Sequence, residues 1–159
     1  MGSKLENVKG LVKETGEISK KTLEMANAAV SDITSVRDIL REVPQDVDDD
    51  ILAAAEQVSD SATKEATDHM NSDVKANLDE GTRTGTEAAE LADEQADVSH
   101  RAADTFGQAS GIRFGESGSE ARAKAETAAA NFEGQSEEVR SIMEESESQF
   151  EQALQDVMG

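Results

Sequence analysis

The chain has 159 residues, a formal charge of −20 and no cysteine, and its aromatic share is 3%, all of it Phe. Disulfides and thiolate metal sites are therefore excluded, and a thick core is disfavoured because much of the 36% hydrophobic share is Ala, which removes little apolar area from water. What remains is long helices packed closely side by side, or a chain that needs a partner to complete its core. Long Ala/Leu/Glu-rich runs oppose the disorder that high charge and few aromatics would otherwise signal.

The first predicted element is a helix over 4–43. Leu5, Val8, Val12, Thr15, Ser19, Thr22, Ala26, Ala29, Ile33, Val36, Leu40 and Val43 follow an unbroken 3–4 spacing, a heptad seam. Leu11, Ile18, Met25 and Ile39 widen it on one side. Thr15, Ser19, Thr22 and Gly16 make its middle weak, which fits either close helix approach or partial burial. Pro44 ends the helix by clashing with the preceding turn.

A second helix is predicted over 46–106. It opens on Asp46-Val47-Asp48-Asp49-Asp50, acids that complement the positive end of a helix dipole. The run lacks the glycine and spaced oxygens of a calcium loop. Ile51, Leu52, Ala55, Val58, Ala62, Ala66, Met70, Val74 and Leu78 supply its apolar positions. From Ala62 to Leu78 the spacing is a strict four, so the stripe should drift around the helix. Gly81-Thr82-Arg83-Thr84-Gly85 predicts a kink or short break, each Gly costing about 1 kcal/mol against Ala. The pattern resumes with Ala88, Ala89, Ala92, Ala96, Ser99, Ala103 and Phe106, a small face suited to close packing.

Residues 107–118 contain Gly107, Gly111, Gly115 and Gly118 and read as a loop. Ile112 and Phe114 inside it suggest that it folds back or docks on a partner. Ser117 and Glu120 fit a capping box for a last helix over 119–157. That helix carries Ala121, Ala125, Ala128, Phe132, Val139, Ile142, Met143, Phe150, Ala153, Leu154 and Val157. The expected fold is all-α: three long amphipathic helices in one elongated, coiled-coil-like hairpin or bundle domain, 1–159.

Charge is uneven. Residues 1–43 hold seven Lys/Arg and seven Asp/Glu, so the whole −20 lies in 44–159. An acidic body repels nucleic acid and anionic membrane. No apolar run approaches the roughly 18–20 residues that span a bilayer, and no signal-peptide core follows the start. The expected compartment is the cytoplasm, or export by a route that reads no cleaved signal peptide. Glu6 stands where myristoylation needs Ser or Thr.

Little chemistry is legible. His69 and His100 each have an aspartate four residues on, Asp73 and Asp104, but no His-x₃-His or Glu-x-x-His set accompanies them. Carboxylates are abundant with few apolar neighbours to raise a pKa. The glycines near Gly111 match neither a phosphate loop nor a dinucleotide fingerprint. Neither an enzyme nor a cofactor or metal site is expected.

Amphipathic helices over 46–157, an acidic balance, no Cys and a glycine-rich turn at 107–118 together resemble the bacterial helical-hairpin proteins of type VII secretion, the WXG100-like proteins and the partners of LXG-type toxins. The chain has no Trp and no Tyr, so it lacks that family's Trp-x-Gly turn and Tyr-based export signal. Four residues beyond Phe106, Phe132 and Phe150 stand Ser110, Ser136 and Leu154, so no Phe replaces the signal. The resemblance therefore implies a partner protein or an atypical substrate. The primary expectation is a non-enzymatic module that pairs with a helical protein, as a hetero- or homo-oligomer, without nucleic acid or membrane insertion. Leu5, Val8, Val12, Ile33, Val36, Leu40, Ile112 and Phe114 are the candidate partner-binding residues. A homo-oligomeric coiled-coil structural protein and an acidic inhibitor or nucleic-acid mimic are the alternatives.

Overall fold

The computed structural model describes residues 2–109 and 115–159. They form helices α1 (Gly2–Arg41) and α2 (Asp49–His69), a π-helical segment (Met70–Val74), and helices α3 (Lys75–Ala109) and α4 (Gly115–Met158). There is no strand among the described residues. Because α2, the π segment and α3 follow one another without interruption, the described residues form three long helical runs. It is an all-α protein with helical hairpin and bundle packing.

The ends of these runs have local causes. At the end of α1 the amides of Glu42 and Val43 donate to the carbonyls of Ile39 and Leu40, both at 3.2 Å. Those three-residue bonds tighten the last turn before Pro44. At the start of α2 the amides of Ile51 and Leu52 donate to the Asp48 carbonyl. The Asp48 side chain makes no capping bond, so Asp49 and Asp50 in the first turn act through the helix dipole.

The break predicted near 81–85 does not occur: α3 runs through it. Gly81, Thr84 and Gly85 are buried, and packing against them outweighs their poor helix propensity. The predicted 107–118 loop is helical at both of its ends, and 110–114 lie outside the described residues. Gly107 lies in α3, and Gly115 and Gly118 lie in α4. The last helix starts at Gly115, so Ser117 and Glu120 sit within it rather than capping it. Gly107 makes room for a neighbour, since a Cβ there would stand 3.2 Å from Nη1 of Arg122.

The irregularity falls instead at Met70–Val74. A π turn closes its hydrogen bonds one residue later than an α turn. This extra residue offsets the drift that a spacing of four produces on a regular helix. Met70 and Val74 are both 0% exposed, and Leu78 is buried with them. The strict four-residue stripe thus stays on one face.

The described residues divide into two compact units. One comprises Met1–Glu17 and Gly81–Met143, the other Ile18–Glu80 and Glu144–Gly159. In the first, Val8 and Val12 of α1 pack with Ala88, Ala89, Ala92 and Ala96 of α3 and with Phe132 and Val139 of α4. The alanines let the helices approach closely around Phe132. In the second, Ala26, Ala29 and Ile33 of α1 pack with Met70, Val74 and Leu78 and with Phe150, Ala153 and Val157 of α4.

In the weak middle of the α1 seam Thr15 and Thr22 are buried, while Gly16 and Ser19 are half-buried. Thr15 and Thr22 are 1% and 2% exposed. Their hydroxyls donate to the Leu11 and Ile18 carbonyls at 2.8 Å, so neither enters the core unsatisfied. Asn77 adds a second polar tie, donating to the Ile18 carbonyl at 3.1 Å and to Thr22 Oγ1 at 2.6 Å.

Candidate protein-docking groove

The second unit is unevenly packed. Every residue of α2 retains enough exposure that none counts as buried, although Leu52, Ala55, Ala62 and Ala66 are half-buried. Arg37 shows where α4 stops beside the α1–α2 pair. Its guanidinium donates to the carbonyls of Asp156 at 2.9 Å and Val157 at 2.5 Å, and to Thr63 Oγ1 at 3.4 Å. These bonds satisfy carbonyls that the last turn of α4 leaves free, and the cation complements the negative helix end.

Between α1 and α2 runs a groove of about 340 Å³, lined by Ala29, Asp32, Ile33, Val36, Ala62, Glu65, Ala66 and His69. Its floor is aliphatic. Asp32 and Glu65, both exposed, stand on opposite walls, one on each helix. Helical periodicity extends those walls. Ile39 follows Asp32 by seven residues, and Val58 and Ile51 precede Glu65 by seven and fourteen. Residues seven apart on a helix differ in direction by only about 20°. Ile39, Ile51 and Val58 are 66%, 50% and 53% exposed. By this register they stand beyond the groove's own lining, on the sides of α1 and α2 that carry Asp32 and Glu65, toward the α1–α2 turn; the groove with this exposed apolar extension is termed the trough.

The trough is bordered by acid. Residues 29–69 contain eleven Asp/Glu and three Lys/Arg. All three bases already have partners: Arg37 on the α4 carbonyls, Arg41 on Asp38 at 3.2 Å and Lys64 on Asp68 at 2.8 Å. The field over the trough is therefore negative.

The candidate partner-binding residues divide sharply. Val8, Val12 and Ile33 are 0%, 4% and 2% exposed, and Leu5 packs half-buried against the first core. Their apolar surface is used within the chain. Val36 lines the groove and Leu40 is half-buried. Ile112 and Phe114 lie outside the described residues. Sequence reasoning placed Ile39, Ile51 and Val58 on apolar stripes without singling them out. The signal was the heptad register of Ile51 and Val58 with Glu65.

Each histidine lies within hydrogen-bond distance of a carboxylate. His69 Nδ1 lies 3.1 Å from Asp73 Oδ2. His100 pairs with Glu133 rather than with Asp104, and the hydrogen bond to Glu133 holds its pKa above 6.5, with the nearby charges of Glu133, Asp104 and Asp97 adding to it. Among the described residues no three His, Asp or Glu side chains are grouped to hold a metal ion. No described helix is long and apolar enough to cross a membrane. A further polar cluster joins α3 to α4: Ser136 donates to Asp93 Oδ1 at 2.6 Å, and Arg140 donates to Ser136 Oγ at 3.2 Å and to Asp93 Oδ2.

Compared with protein-family models, with curated proteins and with solved structures, the chain matches none.

Proposed function

We propose that this protein is a non-enzymatic interaction module that binds a helical protein partner. The observation that supports this reading is the aliphatic groove between α1 and α2, extended by exposed Ile39, Ile51 and Val58. Three large exposed apolar side chains in heptad register with the groove-lining Asp32 and Glu65 are characteristic of a docking face rather than of scattered surface residues. A helix lying in such a groove through regularly spaced anchors is a common recognition mode.

The resemblance to type VII secretion proteins supplies the setting we favour: a toxin-partner protein or an exported substrate, held in the cytoplasm before any export. The test is to measure the mass of the purified chain by sedimentation, alone and mixed with the helical protein encoded beside it. A 1:1 complex is the expected result. A stable monomer that captures no helical protein overturns the proposal.

A further inference from the structure

We infer that the occupant of the α1–α2 trough is a basic amphipathic helix: an apolar stripe flanked on both sides by Lys or Arg. The inference rests on the docking reading above and names the partner's chemistry. The floor and the three exposed aliphatic residues call for an apolar stripe. The walls call for cations, since Asp32 of α1 and Glu65 of α2 both line the groove and every Lys or Arg in 29–69 is already engaged.

Charge also excludes a second copy as occupant. Two such troughs meeting face to face would bring eleven acids and three bases of one chain against the same set of the other, and like charges at an interface are strongly disfavoured. Acidic amphipathic helices are excluded on the same ground. The length is bounded as well. From Ala29 to Ile39 the α1 wall rises about 15 Å at 1.5 Å per residue, so about three turns of a partner helix fill it. Long Lys or Arg side chains suit this site for a further reason. Their methylene stems can lie over Val36 and Ala62 while their heads reach Asp32 and Glu65.

The test uses the whole chain and three synthetic helices of about 18 residues with one shared Leu stripe, flanked by Lys/Arg, by Gln or by Glu. Binding is read by fluorescence anisotropy, on the wild type and on two variants. Ile39→Gln/Ile51→Gln/Val58→Gln removes the exposed anchors, and Asp32→Asn/Glu65→Gln removes the wall charges. All five positions are solvent-facing, and circular dichroism confirms that each variant keeps its helix content.

The expected result is binding of the basic peptide at least tenfold tighter than the Gln peptide, with none for the Glu peptide. The triple variant loses at least tenfold, and the wall variant several-fold. Equal binding of basic and neutral peptides, both lost in the triple variant, overturns the basic partner but leaves the docking face standing. Basic-peptide binding that is unchanged in both variants is general attraction to an acidic chain and overturns the trough as its site. A concentration-dependent dimer abolished by the triple variant makes a second copy the occupant and overturns the inference too.

Discussion

Three glycines in one unit should respond to the same substitution with opposite signs. Gly10, Gly85 and Gly134 all lie in helices, so Gly→Ala gains about 1 kcal/mol of helix propensity at each. At Gly10 and Gly134 an added Cβ meets nothing within 4 Å, and the full gain should appear. At Gly85 it would stand 2.6 Å from Sδ and 2.7 Å from Cγ of Met143, and 3.1 Å from Cγ2 of Thr15. Met143 is flexible, but Thr15 is buried and tied to the Leu11 carbonyl. Overpacking of this kind costs about 1–3 kcal/mol, which exceeds the propensity gain. Gly85→Ala should therefore lose about 1 kcal/mol net, leaving about 2 kcal/mol between it and Gly134→Ala. Urea unfolding followed by circular dichroism reads this as midpoints moving in opposite directions at constant slope. A second leg adds Met143→Ala, in whose background Gly85→Ala should cost about 1 kcal/mol less than in the wild type. If Gly85→Ala stabilises as much as Gly134→Ala, the close approach of α3 to its neighbours is not what keeps Gly at this position.

Arg37→Ala should cost about 1–2 kcal/mol, because the α4 carbonyls of Asp156 and Val157 lose a cationic donor; amide exchange should speed up in the last turn of α4 and not at its centre. His100 should titrate above 6.5 by NMR, and Glu133→Gln should bring it back toward 6.5. Since the folded value is the raised one, this pair's contribution is fully present below pH 6.5 and is lost as pH rises through the folded pKa; a titration at or below 6.5 would refute the pairing. Deleting Ser72, which is exposed in the π segment, should convert that turn to regular α-helix and leave α2 in register with the residues that follow, because the π turn absorbs about one extra residue and one α-helical residue turns about 100°. Ala62 and Ala66 should then keep the core they pack against and the melting temperature should stay close to the wild type, whereas a loss of about 2–4 kcal/mol would show that the π turn absorbs no extra residue.

The all-α class and the identity of the long helices were legible in the sequence, because heptad spacing and Pro44 act locally. Burial along α1 follows its seam from Val8 through Ile33, with Ser19 half-buried, and opens at Leu5, Val36 and Leu40 near the helix ends. Helix continuity at 81–85 was not legible. Local propensity disfavours Gly81 and Gly85, and at Gly85 only the side chains of Met143 and Thr15, brought against it from other helices, make a residue without a Cβ the better choice. The strict four-residue spacing over Ala62–Leu78 was visible, yet its resolution was a π turn, which depends on hydrogen bonding along the backbone and on the burial of Met70 and Val74. The docking trough divides in the same way. The sequence placed Val36 and Leu40 on an apolar seam and Ile51 and Val58 on a second stripe. Which of those residues stay exposed is a property of the tertiary structure, because it depends on where α4 ends beside Arg37.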